Sequence, residues 1–212
     1  MGYDAAEFLP VEELPEGANL LVGGPPLTGK RELALSLVDH GCEHGDGGIV
    51  VGAHDSTKTI RQRAPHLWDQ VKRGRAGIVD CVTRQRGESV RDQDFVKYVS
   101  SPGDVTDMGI RLGGIFQRLE RECDCVRLDI STISTMLMYA DVRRVYRFLH
   151  VFVGHVERLD WLGLGVLDTS NRESFDMLAP LYDGMIQTRS EDDGRELRVV
   201  GLGDSPTEWV SY

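Results

Sequence analysis

The chain has 212 residues, 41% of them hydrophobic, and carries a net charge of -10. That is enough apolar content to build a sizeable core, and the acidity disfavours nonspecific nucleic-acid binding. No apolar run approaches the roughly 20 residues needed to cross a bilayer, and Met1-Gly2-Tyr3-Asp4 lacks the basic and apolar parts of a signal peptide, so a cytoplasmic protein without membrane insertion is expected.

Residues 1–17 are acidic and contain Pro10 and Pro15, which suggests an extended lead-in closed by the turn Pro15-Glu16-Gly17. Residues 18–22 are an apolar run and 32–38 have helical composition, with a Gly/Pro-rich connection between them, giving the order strand, loop, helix. The glycines of 41–48 end that helix. Residues 49–53 read as a buried strand, Ser56 as the cap of a helix running towards Arg63, and 77–82 as a third strand. The polar stretch 83–103 is weakly periodic and reads equally as a functional loop or a helix. A helix is predicted over 106–122 despite Gly113-Gly114, each of which costs about 1 kcal/mol relative to alanine. A strand at 125–130, an apolar helix at 142–159 and a strand at 164–167 follow, the last ending in Asp168-Thr169-Ser170. In the tail, 182–189, 195–202 and 208–212 are short strands separated by Glu191-Asp192-Asp193-Gly194 and Gly203-Asp204-Ser205-Pro206, an antiparallel extension.

Strands alternating with helices specify an α/β fold with a mostly parallel central sheet flanked by helices, because each parallel crossover needs a dozen or more residues. Ligands of such sheets bind beyond the strand C-termini. Residues 18–212 are expected to form a single domain. Leu137, Met138, Tyr139, Val142, Val145, Phe148, Leu149 and Phe152 form an apolar band that reads as core or, failing that, a subunit interface. Trp68, Trp161 and Trp209 are too far apart for a stacking platform and read as anchors. Cys42, Cys81, Cys123 and Cys125 read as reduced thiols. His40-x-Cys42-x-His44 offers metal-ligand types, but no fourth ligand stands at a usual zinc spacing.

Gly24-Pro25-Pro26-Leu27-Thr28-Gly29-Lys30 matches the G-x-x-x-x-G-K of a P-loop, or Walker A motif, and stands between a predicted strand and a predicted helix, the context the motif requires. Backbone N–H groups and the helix N-terminus surround phosphate oxygens, and Lys30 places a cation on them. The next residue should be Ser or Thr, whose hydroxyl binds magnesium, but it is Arg31. A guanidinium cannot ligate a metal, so either other groups and water hold Mg2+ or Arg31 itself neutralises phosphate charge.

With these residues in place, nearly the whole chain resembles the RecA superfamily, and within it the KaiC-like group of archaeal regulatory ATPases. The acid-rich, lysine-poor composition is similar to that of haloarchaeal chains. The resemblance is carried by Asn19-Leu20-Leu21-Val22-Gly23-Gly24 with its P-loop, by residues 48–53 and 129–141, and by Tyr182-Asp183-Gly184-Met185-Ile186. It implies a RecA-like fold, binding of ATP or ADP, and a regulatory role with a protein partner or a homo-oligomer. It further implies that Asp55, after the second strand, activates water and that Asp129, after Cys125-Val126-Arg127-Leu128, supports magnesium. A second register aligns Ser131 with that aspartate, which would leave a pseudo-ATPase. Asp168, Thr169 and Ser170 match the family's sensor position. The Lys-x-Arg pair that relatives extend from a late hairpin to a neighbouring subunit is missing from Val200-Gly201-Leu202. ATP binding with weak or absent turnover is therefore expected, with a non-enzymatic scaffold as the alternative.

Overall fold

A computed structural model of the protein describes residues 2–191 and 194–212. Met1, and Asp192 and Asp193 of the expected hairpin turn, lie outside the described residues. In chain order the elements are β1 (Tyr3–Asp4), β2 (Glu13–Leu14), β3 (Asn19–Gly24), α1 (Lys30–Glu43), β4 (Gly47–Gly52), α2 (Thr57–Arg63), α3 (Pro65–Lys72), β5 (Ala76–Asp80), β6 (Val96–Tyr98) and α4 (Val105–Glu122). They continue with β7 (Val126–Ile130), α5 (Ile133–Tyr139), α6 (Val142–Arg158), β8 (Leu162–Asp168), α7 (Arg172–Leu178), β9 (Gly184–Glu191), β10 (Gly194–Val200) and β11 (Val210–Ser211).

The central sheet runs in the order β11-β10-β9-β3-β8-β7-β4-β5-β6. From β9 to β6 every pairing is parallel, while β9, β10 and β11 pair antiparallel. The fold is thus the predicted α/β architecture with its antiparallel C-terminal extension. Every residue of β3, β4, β5 and β7 is buried, as a parallel sheet covered on both faces requires. One apolar layer holds α1, α3 and the N-terminal segment against the sheet, and the other holds α4 and α6. Each fully buried aliphatic side chain in these layers contributes about 1.5–3 kcal/mol.

The segment ahead of Gly17 is a two-stranded antiparallel hairpin, β1 with β2, whose Ala5, Leu9 and Leu14 enter the first layer. Its attachment depends on Arg127. This arginine is the second residue of β7 and is only 2% exposed. Its Nε donates to Asp46 at 2.8 Å, and its Nη1 donates to the carbonyls of Asp4 and Leu37 at 2.9 and 3.0 Å. Gly41 on α1 makes the room, since a Cβ there would stand 2.2 Å from Arg127 Nε.

The stretch 83–103, open from sequence, is mostly irregular and supplies the short edge strand β6. The apolar band is split: Val145, Phe148, Leu149 and Phe152 are buried, but Met138 is 79% exposed and Tyr139 56%. The reason is that Ala140 breaks the helix, so α5 and α6 are separate elements with separate buried faces. Trp161 packs against Phe116 in the second layer, whereas Trp209 lies between the guanidiniums of Arg189 and Arg198 on the tail hairpin.

Candidate functional site

The cleft lies where β3, β7 and β8 end. From β3 the chain passes through the loop at 25–29 into α1 and crosses to β4, on the far side of β8 and β7; β8 leads the other way, to β9. Connections that diverge from adjacent strand ends leave a crevice between them. The crevice measures about 320 Å³, and its walls include Gly29, Lys30, Arg31, His54, Ser131 and Asp168.

The loop itself is shaped by two left-handed residues, Leu27 at φ 67 and Gly29 at φ 76. Gly29 is the residue ahead of the first turn of α1 and provides no side-chain cap, and the opening N–H groups of such a 14-residue helix suit an anion. Thr28 holds the loop from within: its hydroxyl donates to the Pro25 carbonyl at 3.0 Å and lies 2.7 Å from the Thr188 hydroxyl on β9. Tyr212, at the end of the chain, donates its hydroxyl to the Thr28 carbonyl.

Lys30 is 8% exposed. Its ammonium donates to the Pro25 carbonyl at 2.7 Å and faces Asp168 Oδ2 at 3.7 Å. Burial lowers the pKa of Lys30, and Asp168 opposes that shift. For Asp168 burial works upward, but hydrogen bonds from Ser170 and the charge of Lys30 hold the carboxyl below its usual range. Asp168 is fixed on the strand end by its own N–H, which donates to Ser134 Oγ at 2.8 Å.

A smaller recess, of about 20 Å³, is lined by Arg31, His54, Asp55, Asp129 and Ser131 among others, sharing Arg31, His54 and Ser131 with the cleft. The two sequence-derived acidic residues therefore share one recess with Arg31. Asp129 is 1% exposed. Its Oδ2 accepts from Ser131 Oγ, whereas among the described residues its Oδ1 has no partner. Burial pushes the Asp129 carboxyl up to about 7; the Ser131 hydrogen bond and Arg31 pull against this, and Asp55 adds to it. Asp55 lies 3.7 Å from Arg63. His54 Nε2 is 2.8 Å from Thr135 Oγ1, and burial together with Arg31 lowers its pKa. Both registers of the β7 motif enter the site, because Ser131 sits immediately beside Asp129.

Three residues of the site escaped sequence reasoning: Arg195, Thr188 and Tyr212. Arg195 on β10 reaches over the loop, and a Cβ on Gly29 would meet its Nη1 at 2.5 Å. The tail hairpin thus brings a cation to its own chain's loop, at the opposite end from Val200-Gly201-Leu202. No spacing in the sequence connects residue 195 with residue 29; only the β3-β9-β10 pairing does.

The residues fit the phosphate part of a nucleotide: the N-terminus of α1, Lys30, Arg31 and Arg195 meet at one cleft. A magnesium ion fits less completely, since Asp129 and Ser131 are oxygen donors while Arg31 stands where the usual hydroxyl would be.

Among solved structures, a KaiC-like protein from Pyrococcus horikoshii superposes with a TM-score of 0.65, covering 98% of this chain and 90% of that one at 13% identity. This likeness establishes a RecA-type fold. Among curated proteins, a UPF0273 protein of Pyrobaculum aerophilum is 28% identical over 130 residues, and one of Saccharolobus solfataricus 26% identical over 129. Each match covers 59% of this chain but only 44% of the relative, so it spans less than half of those proteins. Among the described residues no helix is long and apolar enough to cross a membrane. The model of a family of unknown function, DUF7504, matches residues 17–188, and the chain belongs to that family.

Proposed function

We propose that the protein binds ATP or ADP through the loop from Gly24 to Lys30 and acts as a cytoplasmic regulatory protein with weak or absent intrinsic ATPase activity. The observation that carries this reading is the loop: two left-handed residues shape the turn ahead of α1, and Leu27, Gly29, Lys30 and Arg31 line one cleft. In this reading residues 18–212 work as one RecA-like unit with residues 1–17 attached to it. Pro25, Pro26, Leu27 and Thr28 shape the phosphate cradle, Gly29 opens it, and Lys30 exchanges the Pro25 carbonyl and Asp168 for phosphate oxygens.

Bound nucleotide with magnesium would supply a γ-phosphoryl group open to attack by water. Asp55 would orient that water and Asp129 would support the metal through Oδ1, while Arg31 and Arg195 neutralise phosphate charge. Turnover is slow because Arg31 replaces the magnesium hydroxyl. Asp168 also competes with phosphate for Lys30 at 3.7 Å. The bound state is read by a protein partner or a second copy of the chain.

A second reading, a scaffold that has lost its nucleotide, draws on the same ion pair and on Arg31. Calorimetric titration with ATP, with and without magnesium, separates the two. Saturable binding that disappears in Lys30→Ala supports the nucleotide reading. A well-folded protein that takes up no ATP or ADP leaves the scaffold.

A further inference from the structure

At the far end of α1 from the phosphate loop, His40, Glu43 and His44 present ligand atoms that all lie within 4.8 Å of one another. Positions i, i+3 and i+4 share one helix face. Cys42, which stands between the histidines in sequence, is turned inward, and burial pushes its thiol pKa up. The relevant triad is therefore His-Glu-His, which spacing alone did not reveal.

Each imidazole already has one nitrogen committed. His44 Nδ1 lies 2.9 Å from the His40 carbonyl, an acceptor, so it carries the proton and leaves Nε2 as a lone pair. His40 Nε2 lies 3.1 Å from Asp4 Oδ2, which in the same way leaves Nδ1. This is how outer partners fix the tautomer of metal-binding histidines. The remaining His40 Nδ1 faces Glu7 Oε2 at 3.4 Å. Two lone-pair atoms so placed repel each other unless a proton or a metal cation lies between them, and a metal can recruit Glu43 and His44 as well. A tetrahedral zinc ion with ligands at about 2.0–2.2 Å sets neighbouring donors about 3.4 Å apart. His40 is 8% exposed and held in place, while Glu43 and His44 are exposed side chains that can close on the ion without backbone movement. The helix C-terminus adds a further preference for positive charge.

We propose that His40 Nδ1, His44 Nε2, Glu43 and Glu7 bind one divalent cation of the zinc class, with Asp4 orienting His40. Imidazole donors select such an ion over magnesium. Two neutral imidazoles and two carboxylates balance its charge. The ion ties the β1-β2 hairpin to α1, about 20 Å from Lys30 along the helix. The inference does not rest on nucleotide binding.

The test uses the full chain, stripped with chelator and titrated with zinc chloride by calorimetry and with cobalt chloride by absorption. One equivalent should bind, raise the melting temperature and give the visible bands of tetrahedral cobalt. His44→Ala, an exposed change whose metal-free melting temperature should match that of the unaltered chain, should weaken binding by about 100-fold or more, and Asp4→Asn by about 10-fold. Lys30→Ala and Cys125→Ser should leave it intact. The proposal is overturned if the folded, stripped protein binds neither ion, if His44→Ala binds as tightly as the parent, or if Cys125→Ser abolishes binding.

Discussion

Two charged residues two positions apart on β7, Arg127 and Asp129, are buried to the same degree, 2% and 1% exposed. Alternation along the strand points both under α1. Arg127 is matched to Asp46 and two carbonyls, whereas Asp129 has one oxygen on Ser131 and the other without a partner among the described residues. A charge fully enclosed by its acceptors belongs to the architecture. A buried carboxylate left half-satisfied beside a cleft costs stability, and such groups cluster at functional sites, in keeping with the role proposed for Asp129.

Breaking the satisfied member should have the largest effect. Arg127→Met removes the partner of the Asp46 carboxylate, which is 19% exposed, and of the Asp4 and Leu37 carbonyls; loss of one partner of a buried pair costs about 3–5 kcal/mol, and water reaching Asp46 sets this case near the lower figure. The denaturant midpoint should fall accordingly, and the β1-β2 hairpin should become the first region cleaved in limited proteolysis. Arg127→Lys should recover little, since an ammonium cannot reproduce the fork that serves three acceptors. An unfolding free energy within about 1 kcal/mol of the parent, the order of magnitude expected of surface changes, would remove the architectural role.

The unsatisfied member should respond in the opposite direction and only above a certain pH. The folded-state pKa of Asp129 is raised from 3.8 to about 7, so the folded protein holds a proton that the unfolded chain releases. Below about pH 4 both states are protonated and Asp129 carries no penalty. Stability then falls as pH rises towards 7 and stays reduced above it. Asp129→Asn should therefore match the parent near pH 4 and exceed it at pH 8, by on the order of 1–4 kcal/mol. Denaturation at both pH values tests this, and a difference independent of pH would mean that ionisation of the Asp129 carboxyl is not the source.

The contrast also marks how far the sequence could be read. Strand, loop and helix around Gly24 to Lys30 were legible because the motif and the hydrophobic pattern are local, and the α/β architecture followed from alternation. Arg127 reads from sequence as a break in a strand; its partners Asp46 and Asp4 lie 81 and 123 residues away, and only the packing of the hairpin brings them together. Helices α3, α5 and α7 carry 7 or 8 residues each, too few turns for a clear periodicity. Arg195 and Tyr212 reach the loop through antiparallel pairing, which no composition signal encodes.

The smallest effect should come from Ser131→Ala, which removes the only side-chain hydrogen bond recorded on Asp129 among the described residues. That bond pulls the carboxyl pKa down against burial, so its loss should leave the onset of the stability decline near pH 4 and extend its upper end to higher pH. Above the folded-state pKa the loss should be about 1.5–3 kcal/mol, the range of a hydrogen bond to a charged group, and near pH 4 it should be smaller because the acceptor is neutral. Carboxyl carbon NMR of Asp129 reads the shift directly. In the Asp129→Asn background the charge-dependent part should vanish, because an amide at 129 never ionises. If the serine change costs the same at both pH values and in both backgrounds, Ser131 only fills space, and the half-satisfied carboxylate is set by burial alone.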